Sequence, residues 1–198
     1  LLAGINPFSF AWKLEGGETF FAPEAVFSFG HSEREVGLRM RTFVQEHIIR
    51  GVWKKRPRPV LVNNWEGTYF SFTRERILNI ARAAKEAGAE LFVLDDGWFG
   101  RRDDDTSSLG DWFDYKEKTG GIASLADEMR ALGLSFGIWM EPEMVSEKSE
   151  LYKAHPEWAM KIPGRDPVRM RHQLVLDLTS PAVQDYLISV GRYWVEKY

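Results

Sequence analysis

The sequence contains no cysteine among its 198 residues. Disulfide bonds, thiolate metal sites and cysteine nucleophiles are therefore excluded. Disulfide-stabilised proteins belong to oxidising compartments, so a chain without cysteine suits a reducing one. We accordingly expect a cytoplasmic location.

Long apolar runs and large basic blocks are also missing. No stretch approaches the roughly 18 apolar residues of a membrane-spanning helix, and the first residues lack the basic start and apolar core of a secretory signal. The net charge is -3, and a single basic cluster, Lys54-Lys55-Arg56, is followed by prolines. We therefore expect neither a membrane nor a nucleic acid as a partner. The four histidines show no metal-binding spacing, which predicts no metal site.

Large aromatic residues are abundant, with eight Trp, six Tyr and thirteen Phe. Most of them are expected to fill a hydrophobic core, because a chain of this length can bury one. An aromatic ring at the edge of a cavity has a second use, since its flat face can stack on the apolar face of a sugar. The composition is thus compatible with both a bulky core and a carbohydrate site.

Residues 1–31 show the alternation of strands. Phe8, Phe10 and Trp12 alternate with small residues, and glycines and a proline interrupt the pattern farther along. Such period-two alternation with breaks predicts antiparallel strands.

Residues 32–59 have a different pattern. From Ser32 onward the apolar residues recur at helical spacing, which predicts a helix of about four turns. The stretch 51–59 is rich in basic residues and proline and cannot continue the helix. We therefore expect a helix followed by a linker.

The region 60–198 alternates short apolar segments with amphipathic ones. The apolar segments 60–62, 91–94 and 134–140 are separated by stretches with helical spacing. This order predicts a parallel sheet with right-handed crossovers and helical cover. A doubly wound sheet would normally have a glycine-rich turn after its first strand, whereas this chain has an Asn-Asn-Trp turn. We therefore predict an α/β fold in which this region is the first part of a (β/α)8 barrel.

The end of the region continues the scheme less regularly. Ser146 is predicted to cap a short helix that ends before Pro156, and residues 174–177 predict a brief strand. Ser180 and Pro181 have the pattern of an N-cap followed by the first helical residue. Three strands are clear in the pattern, so the sequence predicts at most half of an eight-stranded barrel.

Candidate site residues follow the predicted strands, because ligands bind at the carboxyl ends of strands in parallel α/β folds. Adjacent Asp95 and Asp96 point in different directions and suit the binding of neighbouring hydroxyls better than joint catalysis across one bond. The alternative is that one of them caps a turn and the other is solvated. Trp65 and Trp139 either stack on a sugar or seal the barrel. Arg171 either pairs with an aspartate or contacts a hydroxyl.

Glu141 and Glu143 flank Pro142 after the third predicted strand. Either has the residue type of a general acid. Acids at strand ends also accept hydrogen bonds from backbone amides, and this structural interpretation is the favoured one.

Five longer motifs occur in order along the chain. They are NWEGTYF (64–70), LDDGWFG (94–100), GDW (110–112), GIWMEPEMV (137–145) and RHQLVLD (171–177). Together they resemble the central region of the family 36 glycoside hydrolases, the microbial α-galactosidases. The resemblance implies that residues 1–31 are the last strands of an N-terminal β-sandwich domain. Since the first residue is not methionine, we expect a piece of a longer bacterial protein.

The resemblance also implies a function. It indicates a retaining hydrolase that removes terminal α-galactosyl units from melibiose, raffinose and related oligosaccharides without a metal or organic cofactor. The residues matching Asp95 and Asp96 bind galactose hydroxyls in that family. Those matching Trp65 and Trp139 shape the sugar subsite, and the one matching Arg171 contacts the sugar. An oligosaccharide is therefore the expected partner, and the full-length protein is expected to be a homo-oligomer.

No catalytic residue is assigned to these 198 residues. The family's nucleophile is an aspartate in a Lys-Trp-Asp motif on the next barrel strand, and its acid/base is a later aspartate; both are expected downstream of Tyr198. The family's Arg-Asn-Gln pattern reads Arg171-His172-Gln173 here. Two alternatives stay open, a galactosyltransferase of the raffinose pathway and a catalytically inactive sugar-binding barrel.

Overall fold

The computed structural model describes residues 3–8 and 10–197, which divide into two compact units, 1–58 and 59–198. The helices are α1 (Glu33–Phe43), α2 (Trp65–Thr68), α3 (Arg74–Glu86), α4 (Lys116–Thr119), α5 (Ile122–Ala131), α6 (Glu150–Ala154) and α7 (Pro181–Lys197). The strands are β1 (Leu61–Asn63), β2 (Leu91–Leu94), β3 (Ser135–Ile138), β4 (Met144–Ser146) and β5 (Gln173–Val175). Among the described residues, no helix is long and apolar enough to cross a membrane.

The first unit contains one long helix. α1 begins after Ser32, where the sequence predicts a helix to start, and the Ser32 side chain accepts a hydrogen bond from the backbone N–H of Glu35 at 3.2 Å. A π-helical turn (Val44–Ile48) continues it, and a 3₁₀ turn (Gly51–Lys54) occupies the stretch expected to be a linker.

The antiparallel strands expected in residues 1–31 are not formed in the part that the structure describes, 3–8 and 10–31. Aromatic rings contact each other there, with the centroids of Trp12 and Phe20 5.1 Å apart. Phe8 and Phe29 are 84% and 81% exposed. Alternation supplies a strand with an apolar face, but a strand also needs a neighbour for its backbone hydrogen bonds. The assignment to a β-sandwich domain stays a prediction.

The second unit contains the predicted parallel sheet, in the order β1-β2-β3. β1 pairs with β2 from Leu61 opposite Leu91, and β2 pairs with β3 as far as Leu94 opposite Ile138. Every connection between neighbours carries a helix, which confirms the predicted α/β arrangement for these three strands. Their membership of an eight-stranded barrel stays a prediction.

Helices pack on this sheet through the apolar positions that their spacing predicts. Ile77 and Ala81 of α3 and Leu125 of α5 are fully buried in one cluster with Phe92 and Leu94 of β2. Burial of apolar surface stabilises by about 25 cal/mol per Å². The sheet is therefore stabilised by side chains from α3, before its middle strand, and α5, after it.

The segment after β3 differs from the prediction. Ser146 does not cap a helix; it ends β4, and its hydroxyl accepts a hydrogen bond from the backbone N–H of Leu109 at 3.1 Å. Ser149 caps α6 instead, accepting from the N–H of Tyr152 at 3.0 Å. The predicted strand at 174–177 is present as β5, antiparallel to β4. The error arose because a distant loop, rather than the local helix, satisfies Ser146.

Candidate functional site

The ends of β1 and β2 are joined by polar side chains. The Asn63 amide donates to Oδ2 of Asp95, and the Asn64 side-chain oxygen accepts from the Asp95 N–H at 2.8 Å. The other Asp95 oxygen, Oδ1, accepts from the N–H of Asp96 at 2.7 Å. Asp95 is half-buried. Its carboxylate is therefore fixed in orientation at the carboxyl edge of the sheet and remains partly open to solvent.

Trp65 lies beside this pair of strand ends. Its backbone N–H donates to Oδ1 of Asn63 at 2.7 Å, and its ring meets the edge of Phe70 at a centroid distance of 5.1 Å. The residue is half-buried. The hydrogen bond connects Trp65 to Asp95 through a single side chain, Asn63.

Trp139 follows β3 at the same edge. Its backbone N–H donates to the carbonyl of Leu94 at 2.8 Å, and its own carbonyl accepts from the Trp98 indole at 2.7 Å. Its ring lies nearly parallel to that of Phe99, 21° apart in plane, and the residue is half-buried. The structure thus brings Trp65, Asp95 and Trp139 to the ends of three neighbouring strands.

Asp96 points away from the surface. It is only 3% exposed, and both of its oxygens bind the buried guanidinium of Arg102, at 2.6 Å from Nε and 2.9 Å from Nη2. This bidentate pair is the strongest type of side-chain ion pair. Each carboxylate oxygen has a second lone pair, so the role of Asp96 in binding a sugar hydroxyl stays a prediction.

Arg171 occupies a strained turn. It and His172 have φ of 51° and 61°, between bridge partners Met170 and Gln173. A two-residue turn with positive φ at both positions favours Asn and Gly, so the asparagine of the family pattern would suit position 172. Histidine is among the residues that tolerate this conformation best. The departure from the pattern is therefore compatible with the turn.

The side chain of Arg171 is half exposed and pairs with Asp105, at 2.8 Å between Nη2 and Oδ1. The same Asp105 oxygen is 3.7 Å from Nη2 of Arg102. Asp96 and Arg171, which the sequence predicts for one site, are therefore connected through Arg102 and Asp105.

Glu141, beyond the end of β3, is the other unusual carboxylate of this edge. Burial, followed by the charge of Glu143, raises the pKa of its carboxyl group, while Arg171 and Arg102 act in the opposite direction. Its Oε2 is buried and has no hydrogen-bond partner in the protein. Backbone amides do not satisfy this atom.

Sequence reasoning missed Arg102. The pattern Arg-Arg-Asp-Asp-Asp at 101–105 has the composition of a solvated charged loop, yet Arg102 is 0% exposed whereas Arg101 is exposed. The available signal was the flanking Gly97 and Gly100, both with positive φ, which bend the chain back toward the strand end. Within the described residues, no group of three His, Asp or Glu side chains could hold a metal ion.

Comparison with known proteins agrees with this arrangement. The melibiase family model matches residues 19–197. The chain belongs to the melibiase family. Among its melibiase relatives, α-galactosidase AgaA of Geobacillus stearothermophilus is 49% identical over 189 residues, which cover 93% of this chain and 26% of AgaA. α-Galactosidase Mel36A of Lactobacillus acidophilus is 47% identical over 184 residues, covering 92% of this chain and 25% of Mel36A.

Solved melibiase structures show the same fold. A variant of the family 36 glycoside hydrolase AgaA in complex with stachyose has a TM-score of 0.90 and 46% identity, covering 98% of this chain and 27% of that structure. An AgaA variant in complex with raffinose has a TM-score of 0.86 and 48% identity, covering 95% of this chain and 26% of that structure. The resemblance to family 36 is confirmed. This chain spans about a quarter of the length of the relatives that it matches.

Proposed function

We propose that the full-length protein containing this chain is a retaining α-galactosidase that removes terminal α-galactosyl units from oligosaccharides such as melibiose and raffinose. The observation that carries the proposal is the group Trp65, Asp95 and Trp139 at three adjacent strand ends, joined through Asn63 and the backbone of Leu94. Relatives with this fold have been crystallised with stachyose and raffinose.

In this proposal, these residues bind and orient the sugar. An ionised carboxylate accepts hydroxyl hydrogen bonds, and a half-buried tryptophan offers an apolar face to the sugar ring. Retaining hydrolysis also requires two carboxyl groups about 5 Å apart across the scissile bond. Asp96 is engaged by Arg102 and Asp95 by Asn63, so neither is free to attack. We place the nucleophile and the acid/base outside these 198 residues.

The proposal also covers the cellular location, the oligomeric state and the cofactor requirement of the enzyme. We expect a cytoplasmic homo-oligomer that needs neither a metal nor an organic cofactor. Activity that survives extensive dialysis against a chelator would support the last point, and activity restored only by an added metal ion would contradict it.

The test is hydrolysis by the full-length protein of p-nitrophenyl α-galactoside and raffinose, with product stereochemistry followed by NMR. The proposal is supported if the initial product is the α-anomer of galactose. Activity on α-glucosides alone would overturn it. Transfer to a sugar acceptor in excess of hydrolysis would indicate a galactosyltransferase, and binding without turnover would indicate an inactive sugar-binding barrel.

Asp95→Asn should weaken recognition of the galactosyl unit. Loss of a charge-assisted hydrogen bond costs about 1.5–3 kcal/mol, so kcat/KM should fall roughly 10- to 150-fold. Asparagine keeps an oxygen that can accept from the Asp96 N–H, but its NH2 group loses the hydrogen bond from Asn63, so thermal melting is used to check that the fold is intact. Asp127→Asn, on a 71% exposed side chain, is the matched control. A change below about threefold would contradict the role of Asp95.

A further inference from the structure

Four charged side chains of alternating sign form a continuous chain of ion pairs. Asp96 binds Arg102, Arg102 lies within 3.7 Å of Asp105, and Asp105 binds Arg171 at 2.8 Å. We call these four residues the ion-pair chain. Its two ends are residues proposed to contact the sugar, and its two middle members have no such role assigned.

Arg102 makes further contacts through both its guanidinium group and its backbone carbonyl. Its Nη1 donates to the Ser107 carbonyl at 2.6 Å, and its guanidinium lies 5.4 Å and 5.8 Å from the ring centroids of Phe70 and Phe99. Lys118 donates to its backbone carbonyl at 3.2 Å. A buried arginine needs such complete pairing, because an unpaired charge in the interior is strongly unfavourable. The side chain is therefore a rigid support for the Asp96 carboxylate.

The loop that carries Arg102 and Asp105 is itself tightly packed. A Cβ on Gly100 would approach the Ser108 side chain to 2.7 Å, and a Cβ on Gly97 would lie 3.3 Å from the Arg102 carbonyl. Both glycines have positive φ, so other residues would be strained there. The loop geometry thus fixes the distance between the strand end at Asp96 and the half-buried Asp105.

Asp105 provides the connection to a different segment. Arg171 lies 66 residues later in the sequence, on a two-residue turn, and its side chain is 51% exposed. A half-exposed arginine samples many rotamers unless a partner restrains it. Asp105 forms an ion pair with Arg171, whose charge also acts on Glu141, and Arg102 lies on the other side of Asp105.

We propose that Arg102 and Asp105 are positioning residues of the sugar subsite: Arg102 sets the orientation of the Asp96 carboxylate, and Asp105 sets that of the Arg171 guanidinium. This inference rests on the proposed function. Its consequence is that changes in two residues that need not touch the sugar should weaken sugar binding, and that the effect of Asp105 should pass through Arg171.

The first experiment measures binding of 1-deoxygalactonojirimycin, a ligand crystallised with AgaA, to the full-length protein by calorimetry. Asp105→Asn should raise its Kd about three- to tenfold, because one restraining charge is lost. Arg102→Lys should raise it about tenfold or more, since lysine cannot form the bidentate pair. The matched controls are Asp185→Asn and Arg101→Lys, on exposed side chains, with no expected change.

A double-mutant cycle separates positioning from simple structural support. Asp105→Asn should have no further effect in an Arg171→Ala background, since its partner is already absent. Equal effects of Asp105→Asn in both backgrounds, or an unchanged Kd in the Arg171 wild-type background, would overturn the inference. An Arg102→Lys variant that fails to fold, as judged by thermal melting, would assign Arg102 to structural support. The Asp105 cycle still decides the role of Asp105, because its side chain is 41% exposed and its change should leave the fold intact.

Failure of the proposed function has a different signature. A wild-type protein that binds neither 1-deoxygalactonojirimycin nor galactose would contradict the function itself. A wild-type protein that binds the ligand, together with an Asp105→Asn variant that binds equally well, would contradict only the positioning role. In steady-state kinetics, positioning predicts a raised KM, whereas a fraction of misfolded enzyme would lower kcat alone.

Discussion

The two units of the chain use similar residues with opposite results. The first unit has aromatic residues throughout, yet none of its described residues, 3–8 and 10–58, is buried. In the second unit, Phe92, Trp98 and Phe99 are fully buried. Aromatic content therefore does not decide burial. What differs is whether the next element along the chain supplies a surface to pack on.

In the second unit, that surface comes from nearby sequence. A parallel crossover carries its own helix, so α3 and β2 bury each other's apolar side chains, and Val62 of β1 packs against the same cluster. Strands like those expected in the first unit need partners for their backbone hydrogen bonds before their apolar faces are useful. Within residues 3–8 and 10–31 no such partner strand is present.

The largest change in stability is expected from a test of this comparison that removes one aromatic ring from each unit. Phe92→Ala should lower the free energy of unfolding by about 3–5 kcal/mol, because it leaves a cavity in a fully packed core. Phe29→Ala should change it by less than about 0.5 kcal/mol, since that ring is 81% exposed. Urea denaturation of the 198-residue chain measures both. Comparable losses would mean that Phe29 is packed in solution and that the contrast between the units is wrong.

A smaller change in stability is expected from removing a serine N-cap from one helix in each unit. Ser149 and Ser32 each accept from a backbone N–H in the first turn of a helix. Ser149 is fully buried and also donates to the Ser146 carbonyl at 2.7 Å, so Ser149→Ala should cost about 1–2 kcal/mol. Ser32→Ala should fray α1 with little effect on global unfolding, because α1 buries no residue. Hydrogen exchange would distinguish local fraying from global loss, and global destabilisation by Ser32→Ala would contradict the comparison.

A further effect, confined to alkaline pH, comes from tyrosine ionisation and concerns the second unit alone, because all six tyrosines follow residue 58. Burial, and next the charge of Asp111, raises the pKa of Tyr186 to about 12 from an ordinary value of 10.0. The unfolded chain therefore loses this proton first, and the free energy of unfolding should fall as the pH rises from about 10 to 12. Tyr186→Phe should flatten this fall, measured by urea denaturation across the pH range. If the free energy of unfolding of the variant falls equally steeply with pH, other titrating groups cause the fall.

Prediction from the sequence succeeded where local pattern and final packing agree. β2 occupies the predicted residues, and α7 begins after the predicted cap, Ser180, since apolar runs, N-cap residues and prolines act over a few residues. It failed where a distant group satisfied a side chain. Ser146 was assigned to a helix cap but bonds to Leu109, and Arg102 was overlooked in a charged loop but is buried against Asp96.

The sequence by itself determined the order of strands and helices, the family, and the placement of Trp65, Asp95 and Trp139 at strand ends. These follow from periodicity and from motifs that are contiguous in the chain. The tertiary structure alone decided that Asp96 faces a buried arginine and that Arg171 is joined to it through Asp105. Those contacts depend on how a loop folds back between strand ends, and a long-range ion pair leaves no periodic trace in the sequence.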